Sequence, residues 1–166
     1  DTLYAQLQAQ PRNADGGFWH KEVYPYQMWL DGLYMAQPFY AEYAVRNLSG
    51  GEDEKAVDDI VNQFVVVAAH TYDPATGLYR HAYDDSREMF WGDKTTGQSA
   101  HAWGRAMGWY AMAIVEIFGY LLFPAFARLS ADGARLRDAF LRALGWTWFA
   151  VLPLAAVLVV ASQPVA

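Results

Sequence analysis

GGFWHKEVYPYQMWLDGLYMA, residues 16–36, sets a dense aromatic and apolar run around one His, one Lys and the carboxylate Asp31. From Tyr24 onward Met28, Leu33, Met35, Phe39 and Tyr43 are apolar positions of a helical pattern. The spacing predicts a helix over Tyr24–Arg46, with Pro25 in its first turn and a kink or division at Pro38. Desolvation of Asp31 inside such a run would raise its pKa towards the range of a general acid. The flanking rings suit the floor and walls of a sugar site, because flat apolar faces pack on pyranose C–H groups. The competing reading is an Asp that faces solvent or caps a turn ahead of Gly32.

Outward from this stretch the chain reads as helices joined by polar loops. Leu3, Leu7 and Gln10 read as the last turns of a helix ended by Pro11, so that the chain opens as if in mid-domain. After the Ser49-Gly50-Gly51 turn, Val57, Ile60, Val61, Phe64 and Val65 predict a helix over Asp53–Tyr72, with acids at its start where the dipole favours them. Asp73–Gly77 is a turn, Leu78–Tyr83 a short extended piece, and Asp84–Gly97 a polar loop interrupted by Phe90 and Trp91. A third helix is expected from about Ser99 to Leu122. Helices of roughly twenty residues joined by residue-rich loops imply an all-α fold of stacked hairpins. A closed ring of paired helices is one solution.

Composition narrows the chemistry. With 166 residues the chain fits one domain, and with no Cys it excludes disulfides and thiolate chemistry. A net charge of −6, without a Lys/Arg cluster before residue 125, argues against a nucleic-acid partner. No His pair has metal-ligand spacing with a carboxylate, so neither a metal nor another cofactor is expected. The 16% aromatic content suits stacking on sugars as well as core packing.

The two ends of the chain differ. Residues 1–123 hold 8 Lys/Arg and 16 Asp/Glu, whereas residues 124–166 hold 4 and 2. From Leu121 on there is no Lys, Glu, Asn, Ile, His, Tyr or Met. Residues 121–166 are therefore read as a separate apolar tail. Ala143–Ala161 carries no charge and follows Arg128, Arg135, Arg137 and Arg142, which meets the minimum for a membrane span with its N-terminal side in the cytosol. The other reading, which we favour, is a shifted or truncated reading frame, since such a composition is what a GC-rich gene yields out of frame.

Other candidates lie in and between the helices. His20 follows the glycines, and His81 stands in the extended piece, each placed either to bond a ligand hydroxyl or to serve a structural role. His70 and His101 have weaker contexts. In WGRAMGW, residues 103–109, Arg105 and Trp109 lie at i and i+4 on one helix face. A guanidinium there could bind a carboxylate while the indole stacks on its sugar. Alternatively the two form a cation–π pair at a helix contact.

GGFWHKEVYPYQMWLDGLYMA, LYRHAYDDS and WGRAMGWYAMA, in this order, resemble glycoside hydrolase family 105 and its sister family 88, over about residues 1–120. The resemblance implies part of an (α/α)6 barrel, incomplete in this chain, and a cytoplasmic hydrolase unless the tail anchors it to a membrane. It implies action on oligosaccharides that end in a 4,5-unsaturated uronic acid, and the FWHK and YPYQMWLDGLYM wording is closer to the rhamnogalacturonyl type. By its place in the motif Asp31 takes the acid/base role, hydrating the C4=C5 double bond. His20, Trp29, His81, Trp103, Arg105 and Trp109 match positions that line the sugar site. The family's second active-site Asp matches no residue here. Residues 121–166 do not resemble the family. The chain is therefore expected to be a fragment with reduced or no activity, and the alternative is a non-catalytic carbohydrate-binding or membrane-tethered remnant of the same fold. An isomerase or epimerase on a similar toroid, with His20 and His81 as acid and base, is a weaker alternative.

Overall fold

The computed structural model describes residues 2–130 and 132–145. In chain order it contains α1 (Thr2–Ala9), β1 (Gln27–Trp29), α2 (Leu30–Asn47), α3 (Glu52–Thr71), β2 (Tyr72–Asp73), β3 (Leu78–Tyr79), β4 (Ala82–Asp84) and α4 (Gly104–Leu129). Residues 133–145 are also helical. The architecture is mainly helical, with two small antiparallel strand pairs between the helices. In one, β1 meets β4 with Gln27, Met28 and Trp29 opposite Asp84, Tyr83 and Ala82. In the other, β2 and β3 close a hairpin around Gly77.

The strand pairing corrects the expected helix over Tyr24–Arg46. Tyr26 adopts a positive φ of 65°, which no helix accepts, and the Asp85 N–H donates to its carbonyl. Residues 27–29 are then drawn into the ladder with β4, and the helix begins only at Leu30. Asp31 therefore lies in the first turn of α2, where unpaired N–H groups favour negative charge. The helix passes unbroken through the buried Pro38. A similar recruitment delays the third helix to Gly104. Gln98 and Ser99 bridge to Tyr83 and Gly92, and the Ser99 N–H donates to the Ala82 carbonyl.

Contacts divide the chain into residues 1–121 and 122–166. In the first unit, Met28, Leu30, Leu33, Val66, Val67, Tyr83, Ala106 and Ala113 form one core cluster beneath the strand pair. Tyr40, Ala41, Ala44, Ala56, Ile60 and Ile117 form a second between α2, α3 and α4. The inward face of α3 is rotated from the one its valines suggest. Ala56, Ile60, Gln63 and Val67 are buried, while Val61 and Val65 are more than half exposed.

Gln63 is a polar core residue, 1% exposed, because the loop before β1 needs it. Its amide accepts the Phe18 N–H at 2.7 Å and donates to the Gly16 carbonyl at 2.9 Å. Arg12 closes the same loop with a bidentate pair to Asp59 at 2.6 and 2.7 Å and lies 4.2 Å above the Phe18 ring. Residues 12–18 are thus tied to α3, and they deliver Trp19 and His20 to the end of α2.

In the second unit, Asp132 accepts the N–H groups of Ala134 and Arg135 at the start of the helical residues 133–145, a side-chain cap on the unpaired amides. Phe126 and Phe140 meet at 6.0 Å. All but the first three residues of the expected membrane span 143–161 lie outside the described residues. Among the described residues, α4 is long and apolar enough to cross a membrane, but its Ala106, Ala113 and Ile117 are buried in the two cores.

Ile60→Ala should remove about 2–5 kcal/mol of folding stability, since the surrounding helices can only partly close the cavity. Val61→Ala, one position on, should change it by less than about 0.5 kcal/mol. Chemical denaturation of the two variants distinguishes this inward face from the alternative one.

Candidate active site

The β1–β4 ladder brings two distant segments together at the N-terminal end of α2. The Leu30 N–H donates to the His81 carbonyl at 3.1 Å, and the His81 N–H to the His101 carbonyl at 3.1 Å. This fixes His81 and its ring beside the first turn that carries Asp31. Gly104 opens α4 at the same end, and its second residue, Arg105, reaches Asp31. The guanidinium Nε donates to Asp31 Oδ1 at 3.0 Å.

Rings surround this pair. Trp103 stacks on His81 at 3.8 Å with planes 2° apart, and the Arg105 guanidinium lies 4.9 Å from the Trp103 ring. Trp29 stacks on His20 at 4.5 Å and on Tyr24 at 5.7 Å, and meets His81 edge-on at 6.2 Å. Its indole N–H donates to Gln27 Oε1 at 3.1 Å. Trp103 is 39% exposed, so the set offers an aromatic face to solvent while Asp31 stays largely buried.

Six of the seven expected residues, Asp31, His20, Trp29, His81, Trp103 and Arg105, form this continuous set. Trp109 lies one turn farther along α4 and packs on Tyr34 at 4.7 Å, whose hydroxyl donates to Glu116 at 2.8 Å. The expected Arg105–Trp109 pair does not form, because Asp31 draws the guanidinium towards α2 and onto Trp103. Tyr24, Gln27 and Gly32 belong to the set and were not anticipated. A Cβ on Gly32 would stand 2.9 Å from His20 Nδ1, so glycine here lets the imidazole lie against the helix. A glycine directly after a buried carboxylate was the available signal for such an approach.

Charge is distributed unevenly over the set. Asp31 Oδ1 is engaged, whereas Oδ2 is buried without a hydrogen-bond partner. Both Nη groups of Arg105 lack a protein partner among the described residues. Burial pushes the His20 imidazole down to about 4, helped by Lys21 and opposed by Asp31. Burial also lowers His81, against the pull of the His101 carbonyl. Both rings are therefore neutral near pH 7. Behind them a cavity of about 120 Å³ is lined by Trp19, His20, Gly32 and Gln37. Trp19 Nε1, His20 Nδ1 and Gln37 Oε1 are buried without partners in the protein. Among the described residues no three His, Asp or Glu side chains converge as metal ligands.

The His20 shift has a definite sign. The folded chain binds a proton less readily than the unfolded one, so stability should rise with pH between about 4 and 6.5. In His20→Gln that slope should flatten, as read from denaturation midpoints across the window. Gly32→Ala should expel the His20 ring from its seat on Trp29. The His20 ring-proton resonances would then lose the upfield displacement that stacking on an indole produces.

Comparison with known proteins agrees with this fold. Residues 1–126 match the model of Glycosyl Hydrolase Family 88. Residues 90–166 also match a model described as Polysaccharide biosynthesis protein, which covers less than half of the chain. The 24.9 kDa protein in the picA locus of Rhizobium radiobacter is 42% identical over 82 residues, 49% of this chain and 33% of that protein. Unsaturated rhamnogalacturonyl hydrolase YesR of Bacillus subtilis is 31% identical over 137 residues, 80% of this chain and 36% of that one. A solved C. acetobutylicum glycoside hydrolase from family 105 superposes with a TM-score of 0.67 at 45% identity, covering 72% of this chain and 32% of its own. The chain thus spans about a third of the length of these relatives. It belongs to glycosyl hydrolase family 88 and carries part of the (α/α)6 barrel shared with family 105.

Proposed function

We propose that these residues form the acid/base half of a hydrolase that removes 4,5-unsaturated galacturonic acid from rhamnogalacturonan oligosaccharides, as in pectin degradation. The observation that carries the reading is the Asp31–Arg105 pair within its aromatic set. One carboxylate oxygen is held at 3.0 Å by Nε, the other is free for proton transfer, and both Nη groups are free for an anionic sugar.

The chemistry follows from those positions. The uronate is drawn to the Nη groups, whose planar fork suits a carboxylate, while Trp29 and Trp103 supply flat faces for the ring. Asp31 Oδ2 delivers a proton to C4 of the vinyl ether, leaving an oxocarbenium at C5. The carboxylate so formed takes a proton from the water that adds at C5, and the resulting hemiketal opens and releases the remaining sugar. The neutral His20 and His81 bond sugar hydroxyls rather than donate charge. The reading carries a cytoplasmic setting with it.

A non-catalytic sugar-binding or membrane-tethered remnant of the same fold is the alternative. Its support is that the chain covers about a third of its relatives, which leaves the barrel's other hairpins outside these residues. Ultraviolet absorbance of an unsaturated rhamnogalacturonan disaccharide separates the two, because hydration destroys the conjugated double bond. In a parent enzyme with the whole barrel, turnover should fall about 10²–10⁴-fold in Asp31→Asn, the share usual for a general acid/base, with ligand affinity largely kept. Binding without any loss of absorbance would favour the sugar-binding role. Arg105→Lys should weaken binding more than turnover, because a single ammonium does not reproduce the fork.

A further inference from the structure

Gln37 is a buried amide of a different kind from Gln63. Both are 1% exposed. Gln63 has its oxygen on the Phe18 N–H and its nitrogen on the Gly16 carbonyl and Asp59, whereas Gln37 Oε1 has no protein partner. Side chains of a helix tilt towards its N-terminal end, so the Gln37 amide is directed along α2 towards the turn that carries Asp31 and Gly32. It lines the cavity of about 120 Å³ together with Trp19 and His20. Each of those two also brings a buried atom without a protein partner, Trp19 Nε1 and His20 Nδ1. The missing Cβ of Gly32 is what lets Nδ1 approach the helix, since that carbon would stand 2.9 Å from it.

The rest of the lining is occupied or apolar. Gln10 Nε2 donates to the Trp19 carbonyl at 2.8 Å, and the Trp29 indole is held by Gln27. Leu7, Phe18, Leu33 and Val67 supply hydrocarbon. Buried polar atoms without partners are destabilising, and a bound water relieves them where it has about 10–15 Å³ and roughly two to four polar partners. This cavity meets both conditions. Its donors and acceptors also balance. The indole N–H can only donate, and Gln37 Oε1 can only accept. A water between them accepts the first and donates to the second, and its remaining proton meets the lone pair of an unprotonated His20 Nδ1. A proton on Nδ1 would instead leave that water proton without any of these partners. The other ring nitrogen, Nε2, is not among the buried atoms that lack a partner.

We propose that Gln37 is a positioning residue for His20: a water in this cavity accepts the Trp19 indole N–H, donates to His20 Nδ1 and Gln37 Oε1, and so fixes the imidazole with its proton on Nε2. The consequence for the site is a ring that donates to a ligand oxygen and does not accept from a ligand hydroxyl, which rests on the hydrolase reading of the Asp31 site. The bridge itself does not. Nuclear magnetic resonance of the ligand-free, nitrogen-15-labelled 166-residue chain near pH 7 tests it. The Trp19 indole N–H should show a cross-peak to long-lived water, and the His20 nitrogens should resonate as unprotonated Nδ1 and protonated Nε2. In Gln37→Met, of similar length but without the amide, the cross-peak should be lost and the two His20 nitrogen resonances should move towards each other as the tautomers mix. Gln37→Glu keeps an acceptor oxygen and should retain the cross-peak. A Trp19 indole without bound water, or a His20 protonated on Nδ1, overturns the bridge on the unsubstituted chain, whatever the variants do. Both signals unchanged in Gln37→Met would remove Gln37 from it. Because no ligand is used, failure here leaves the hydrolase reading standing, and an intact bridge without turnover in a whole-barrel parent sinks only that reading.

Discussion

The hydrogen bond from the Leu30 N–H to the His81 carbonyl, at the end of the β1–β4 ladder, is the constraint on which the site depends. It ends the strand and starts α2 at one residue, so Asp31 falls in the first helical turn. The same bond sets the height of His81, and with it Trp103 and the entry of α4. A ladder of three residue pairs is weak alone. Here it lies over Met28, Leu30, Leu33, Val66, Val67 and Tyr83, whose burial supplies the stabilisation.

Polar groups inside the fold divide into two kinds. Gln63, Asp59 and Asp84 are buried or half-buried and spend their atoms on loops, and so they shape the segments that carry His20 and Trp91. Asp31 Oδ2, His20 Nδ1, Trp19 Nε1 and Gln37 Oε1 are buried without a protein partner. An unpaired buried polar atom costs about 1–3 kcal/mol, and a fold tolerates such atoms together mainly where a ligand or water completes them. Their grouping around the first turns of α2 separates the Asp31 end of this helix from its packed C-terminal half.

Residues 1–121 leave apolar side chains in water. Met112, Val115 and Phe118 of α4 and Val61 and Val65 of α3 are each more than 40% exposed. In a barrel of which this chain spans about a third, helix faces of this kind are the ones that neighbouring hairpins cover. The same reasoning explains why α1 has no buried residue at all. Its Tyr4 still stacks on Tyr43 of α2 at 4.4 Å, which holds it by one face.

Local patterns in the chain were sufficient for the helical class, the positions of three long helices, the turns at Gly51 and Gly77, and Asp31, His20, His81 and Arg105 as candidates. Those signals are carried by neighbours in sequence: apolar spacing, glycine and proline, and rings crowded around a carboxylate. The start of α2, the inward face of α3 and the partner of Arg105 depended on tertiary structure. Residues 27–29 become a strand because Ala82–Asp84 lies beside them, more than fifty residues away, and a local pattern carries no trace of that neighbour. Val61 and Val65 read as core by hydropathy, yet Gln63 is buried instead, since loop 13–18 needs its amide. Arg105 turns from Trp109 to Asp31 because the opposite charge of another helix outweighs a contact on its own. Spacing along a chain determines which side chains can share a face, and only packing decides what that face meets.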